Sequence, residues 1–129
     1  MFRALSAALA VSIALATPAM AQPEWGRSQR VDIQLSNFAF SPSTIHLHAG
    51  EPVVLHLVNA SSGGHDFAAR EFFAASTLRG GAAIERGQVE LASHESRDIY
   101  LVPRAGRYPL KCTHAFHKMF GMSGEIVVD

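Results

Sequence analysis

From Arg30 onward, Val31, Ile33 and Leu35 alternate with Asp32, Gln34 and Ser36, and this period of two most narrows what the chain can fold into. Successive strand side chains point to opposite faces, so the alternation describes a strand with one buried face. The pattern recurs. Ile45 and Leu47 alternate with His46 and His48 before a turn at Ala49-Gly50. Val53 to Val58 is rich in strand formers, with Pro52 at its leading edge, where a missing N–H is tolerated. Val89 with Leu91, Ile99 to Val102, Tyr108 to Cys112 and Gly124 to Asp129 supply further short strands. Turn-forming clusters separate them at Ser41-Pro42-Ser43, Asn59 to Gly64, Ser93 to Ser96 and Pro103 to Gly106. Ala68 to Leu78 lacks alternation, and its Ala, Glu, Arg, Phe and Leu content predicts a helix ended by Gly80-Gly81. Short strands with frequent turns predict an all-β sandwich or barrel with one short helical insertion.

The first 21 residues read differently. Arg3 opens the segment, an apolar stretch runs from Ala4 to Ala16, and Ala19-Met20-Ala21 has the small-x-small form of a cleavage site. The apolar stretch is shorter than the roughly 20 residues a bilayer crossing needs. We read 1–21 as a signal peptide, 22–29 as a short leader and 30–129 as a single domain, exported to the periplasm. Lys+Arg and Asp+Glu both number 11. That balance argues against nucleic acid as a partner, and against membrane attachment through a polybasic patch after cleavage.

Export sharpens the reading of Cys112, the one cysteine of the chain. A lone cysteine in an oxidising compartment is an intermolecular bridge, an inert core thiol or a functional thiolate. Its neighbours favour the last. Cys112-x4-His117-x4-Met122 lies in a loop between two strands, and His65 sits far upstream in the Gly-rich loop Gly63-Gly64-His65-Asp66-Phe67. Two imidazoles, a thiolate and a weak axial thioether make up the donor set of a mononuclear blue-copper site. The soft sulfurs favour Cu(I) and the imidazoles also suit Cu(II), so one set serves both states.

The sequence resembles the cupredoxin family, the plastocyanin/azurin type of small copper protein, over Val31 to Val128. Phe40-Ser-Pro-Ser-Thr-Ile45, followed by Gly50 and the Val53–Asn59 run, is similar to the family's early strands. Gly106-Arg-Tyr108-Pro-Leu-Lys-Cys112 resembles its approach to the copper loop, and Gly121-Met122-Ser-Gly124-Glu-Ile126 resembles its closing strand. The resemblance implies a Greek-key β-sandwich with one copper ion at one end. It makes His65, Cys112 and His117 equatorial ligands and Met122 the axial one; Asn59 and Asp66 match positions that brace the family's loops, or are ordinary turn residues. It implies a one-electron carrier, not an enzyme, that meets redox proteins transiently. The alternative is a periplasmic copper tolerance, storage or delivery protein passing copper to acceptor proteins. An enzyme of this family needs further copper centres and domains, which one cysteine and one domain do not offer. The chain departs from many relatives in having Ala115-Phe116, not Pro-Gly, before the second histidine.

Several residues keep a second reading. His114 is solvated, a donor to the ligands, or an alternative ligand, and Met119 competes with Met122 for the axial role. His46 and His48 share a strand face by spacing, as solvated residues or a weak surface metal site. Phe72, Phe73 and Leu78 read as core packing, or else as the lining of a cofactor pocket. Phe116 and Phe120 either shield the metal or form an apolar docking rim around His117. The charge balance also predicts little long-range steering of partners.

Overall fold

The computed structural model describes residues 8–16, 22–81, 84–114 and 121–129. The alternation is realised as ten strands: β1 (Gln29–Ser36), β2 (Ala39–Ser41), β3 (Thr44–Leu47), β4 (Val53–Asn59), β5 (His65–Ala68), β6 (Thr77–Leu78), β7 (Gln88–Leu91), β8 (Ser96–Val102), β9 (Gly106–Lys111) and β10 (Ser123–Val128). Among the described residues they form two five-stranded sheets, ordered β2-β1-β4-β8-β6 and β3-β10-β9-β5-β7. The chain passes repeatedly from one sheet to the other, giving the Greek-key β-sandwich. β1 with β4 and β3 with β10 pair in parallel; the other pairs are antiparallel.

The apolar half of each alternation faces the other sheet. Ile33, Leu35, Leu55, Leu57 and Leu101 from the first sheet meet Ile45, Phe67, Leu91, Leu110 and Ile126 from the second, all buried. Aromatic rings tie the layers. Phe40 and Phe67 meet edge to face at 6.0 Å, and Phe67 continues to Phe73 at 5.9 Å. Phe72 and Phe73 are buried as core, while Leu78 packs against its margin.

The predicted mid-chain helix is shorter than its composition suggested. Helix α1 covers Arg70–Ala75 only. Ser76 is already extended, its hydroxyl donating to the Phe72 carbonyl at 2.8 Å, and a serine that bonds back to the preceding turn competes with helix continuation. The β-branched Thr77 then pairs with Val102 at the edge of the first sheet. Pairing thus overrides propensity there. Trp25–Arg27 form a 3₁₀ turn, and the Trp25 ring meets Tyr100 edge to face at 6.5 Å. Residues 8–16 carry no helix or strand, with Leu9, Val11, Ile13 and Leu15 exposed; among the described residues no helix is long and apolar enough to cross a membrane.

Candidate metal centre

Strand register gathers the candidate donors at one end of the sandwich. His65 is not in the loop that its glycine-rich neighbours suggested: pairing with β7 draws it into β5, where it stands opposite Leu91 and points inward, as that buried leucine does. Cys112 follows β9, two residues beyond the inward Leu110, so its side chain also faces the core. Met122 precedes β10, and the Cys112 N–H donates to the Met122 carbonyl at 3.0 Å. All three are at most 1% exposed. Cys112 Sγ lies 4.0 Å from His65 Nδ1. A thiolate and an imidazole at first-row metal bond lengths span up to about 4.3 Å across a shared ion, so this pair fits one. The donor types also fit: soft sulfurs with imidazole, on three buried side chains. His117, the other expected ligand, lies outside the described residues, as do Met119, Phe116 and Phe120.

Asp66 braces this arrangement through the thiol and the residue that follows it. Its backbone N–H points at Cys112 Sγ from 3.5 Å. Its carboxylate accepts the Thr113 N–H at 2.7 Å and the Thr113 hydroxyl. One buried residue therefore ties Cys112 and the residue after it to β5. Burial pushes the Cys112 thiol up from its ordinary value, the backbone N–H groups of Asp66 and His114 draw it back down, and the Asp66 charge adds to the rise. A metal arriving here has to displace that proton.

Asn59, completely buried, braces the loop before His65. Its Nδ2 donates to the carbonyls of Gly63 at 2.8 Å and of Leu91 and Ala92 at 3.1 Å. Its Oδ1 accepts the Ser61 N–H at 3.0 Å and hydroxyl at 2.8 Å. The amide thus joins the His65 loop to the end of β7.

His114 is half-buried, its ring centre 6.3 Å from that of His65, with Nε2 2.8 Å from Glu90 Oε1. Ligand atoms of Asp66, Glu90 and His114 lie within 4.8 Å of one another on the outer side of the second sheet. Sequence reasoning did not single out Glu90. The Val89/Leu91 alternation places it on the outer face, but only the Asp66–Glu90 register brings it to this cluster. The remaining histidines are elsewhere. His46 and His48 are exposed, His48 beside Asp129; His56 pairs with Asp98 on the first sheet; His94 is in an exposed turn.

A family model for the cupredoxin-like domain matches residues 5–128. This chain is a member of the cupredoxin-like family. Similar solved structures include dithionite-reduced auracyanin from the photosynthetic bacterium Roseiflexus castenholzii, 18% identical with a TM-score of 0.60, covering 79% of this chain and 98% of that one. Auracyanin A, a "blue" copper protein from Chloroflexus aurantiacus, is 19% identical with a TM-score of 0.54, covering 78% and 99%. McoA, a multicopper oxidase from Aquifex aeolicus, is 15% identical with a TM-score of 0.63; the match covers 87% of this cupredoxin but only 32% of the oxidase. A search of curated protein sequences finds no significant match. At these identities the structural neighbours establish the shared sandwich.

Proposed function

We propose that this cupredoxin is an exported one-electron carrier that binds a single copper ion through His65, Cys112, His117 and Met122. The observation that carries the reading is the convergence of buried His65, Cys112 and Met122, with Sγ and Nδ1 4.0 Å apart. Copper held there supplies a Cu(II)/Cu(I) couple. The surrounding residues keep the donors still. Asp66 holds Thr113, the residue after Cys112, Asn59 fixes the His65 loop, and the Asp66 N–H offers the thiolate a hydrogen bond. A frame that does not move between oxidation states keeps the reorganisation cost of electron exchange low. Four protein donors leave no open position for a substrate, which favours a carrier over an enzyme. In this reading 1–21 directs export to the periplasm, and redox partners are met through small transient interfaces.

The cluster of Asp66, Glu90 and His114 favours a second reading, in which the protein stores or delivers copper. Those donors stand beside Cys112, with Glu90 exposed and His114 half-buried, where an incoming cation could pause.

Titrating copper into the protein beginning at Gln22, followed by visible absorption and electron paramagnetic resonance, tests both. The carrier reading expects one equivalent to produce an intense thiolate-to-copper band that is absent in Cys112→Ser, and copper retained through repeated reduction and oxidation. Binding without that band, or loss of copper to a chelator on each reduction, favours delivery. No binding at all overturns both.

A further inference from the structure

The second sheet carries a groove on its outer side that the copper site does not use. It holds about 490 Å³ and is lined by Arg70 and Glu71 of α1, Arg86 of the 3₁₀ turn Glu85–Gly87, Gln88 of β7, Lys111 of β9, and Thr113. Three cations from three separate elements face one anion across this space. Elsewhere the protein pairs several of its arginines: Arg27 with Glu24, Arg30 with Asp32 and Arg107 with Glu125. Among the described residues no carboxylate lies within ion-pair distance of Arg70, Arg86 or Lys111. The lining side chains thus carry three positive charges against the one negative charge of Glu71, with Asp66 and Glu90 further along the same sheet face.

The backbone is built to hold this arrangement. Arg86 adopts a left-handed conformation at φ 54°, uncommon for a side chain of its kind. Gly87 follows at φ 66°, and a Cβ there would collide with the Arg70 backbone. The Ala69 N–H donates to the Gly87 carbonyl at 2.9 Å, locking the turn against the start of α1. The floor of the groove is the outer face of β9, and Lys111 and Thr113 flank Cys112 in the chain. An occupant is thus separated from the inward-facing thiol by the backbone of β9 and its continuation.

We propose that this groove docks an acidic face of a redox partner protein and places that partner against the Cys112 side of the copper site. The electron-transfer role rests on the copper reading above; the binding of acidic groups does not. Charge complementarity selects the partner's sign. The cations are all exposed, which suits a rim that steers and releases a protein. A site for a small anion instead buries most of its ligand around fixed polar groups.

The test has two arms. In the first, copper-free protein is titrated with hexaglutamate while backbone amide NMR shifts are followed. Shifts confined to the groove are expected, with affinity about threefold weaker for each cation neutralised, the size of one exposed ion pair. Arg70→Gln with Lys111→Gln should weaken binding about tenfold, whereas Arg97→Gln, which removes an exposed charge from the other sheet, should not. Raising the ionic strength to about 1 M should abolish the shifts, because screening then acts within about 3 Å. Absent shifts, equal loss in both variants, or equally strong binding of inorganic phosphate would overturn docking of an acidic face. In the second arm, copper-loaded reduced protein transfers one electron to oxidised cytochrome c made acidic by succinylation of its lysines, Cu(I) becoming Cu(II) as Fe(III) becomes Fe(II). The rate should fall with salt, and fall further in the double variant. A rate indifferent to the variant would overturn the electron-transfer role while leaving the peptide result intact. Loss of the copper site itself would show instead as a missing thiolate band.

Discussion

Replacing Asn59 with alanine removes an amide that makes five hydrogen bonds from a completely buried position. Not all five losses count equally. The carbonyls of Gly63 and Ala92 belong to exposed residues and can take up water. The Ser61 hydroxyl keeps a partner, since it also donates to the Gly63 carbonyl at 3.0 Å. The Leu91 carbonyl and the Ser61 N–H face the amide in buried hydrogen bonds, and each is left unsatisfied. A buried unsatisfied group costs about 1–3 kcal/mol, so the pair predicts a loss of about 4 kcal/mol. That is a large share of the roughly 5–15 kcal/mol that stabilises a domain. Asn59→Asp should be worse than Asn59→Ala, because it turns a carboxylate oxygen toward three carbonyl oxygens. The assay is equilibrium urea unfolding of copper-free protein, followed by circular dichroism, so that no metal contributes to the difference. A loss below about 1 kcal/mol for Asn59→Ala, or an aspartate variant as stable as the alanine one, would refute this account of the brace.

Two further outcomes follow from the same frame. At Gly124 an added Cβ would run into the Ser43 carbonyl and approach Leu110 Cδ2 to 3.3 Å, so Gly124→Ala should destabilise by about 1–3 kcal/mol, read as a lowered Tm. The raised Cys112 thiol makes a pH prediction with a definite sign. Its folded value lies above its unfolded one, so its contribution to stability is complete below the ordinary thiol range of about 8.5 and is lost as pH rises through the folded value. Copper-free protein should therefore weaken in alkaline solution more than Cys112→Ser does, measured by urea midpoints across pH; parallel curves would contradict the assignment.

Much of this molecule was legible in order along the chain. Alternation located the major strands because one face of each is buried and the other is not. It did not locate the end of α1, because Ser76 bonds back to its own turn and Thr77 is captured by β8. The metal donors were legible as types, since thiolate, imidazole and thioether in one loop are rare without a reason. Met122 and Cys112 fall near each other by sequence, but His65 joins them only because β5 pairs with β7 and β9. Asn59 and Asp66 were open to two readings until their partners were known, because a turn residue and a brace look alike in one dimension.

The charge balance marks the same division. Composition set the net charge, and with it the expectation of weak steering. It could not say where the charges lie. Only the packing of α1, the left-handed turn at Arg86-Gly87 and the outer face of β9 brings Arg70, Arg86 and Lys111 to one groove in which Glu71 is the lining carboxylate. Residue types, their alternation and the spacing of one loop are properties of the chain alone, because they act through local sterics and intrinsic chemistry. Which distant groups face one another, and whether their charges are answered, depends on strand register and loop closure, and tertiary structure alone decides it.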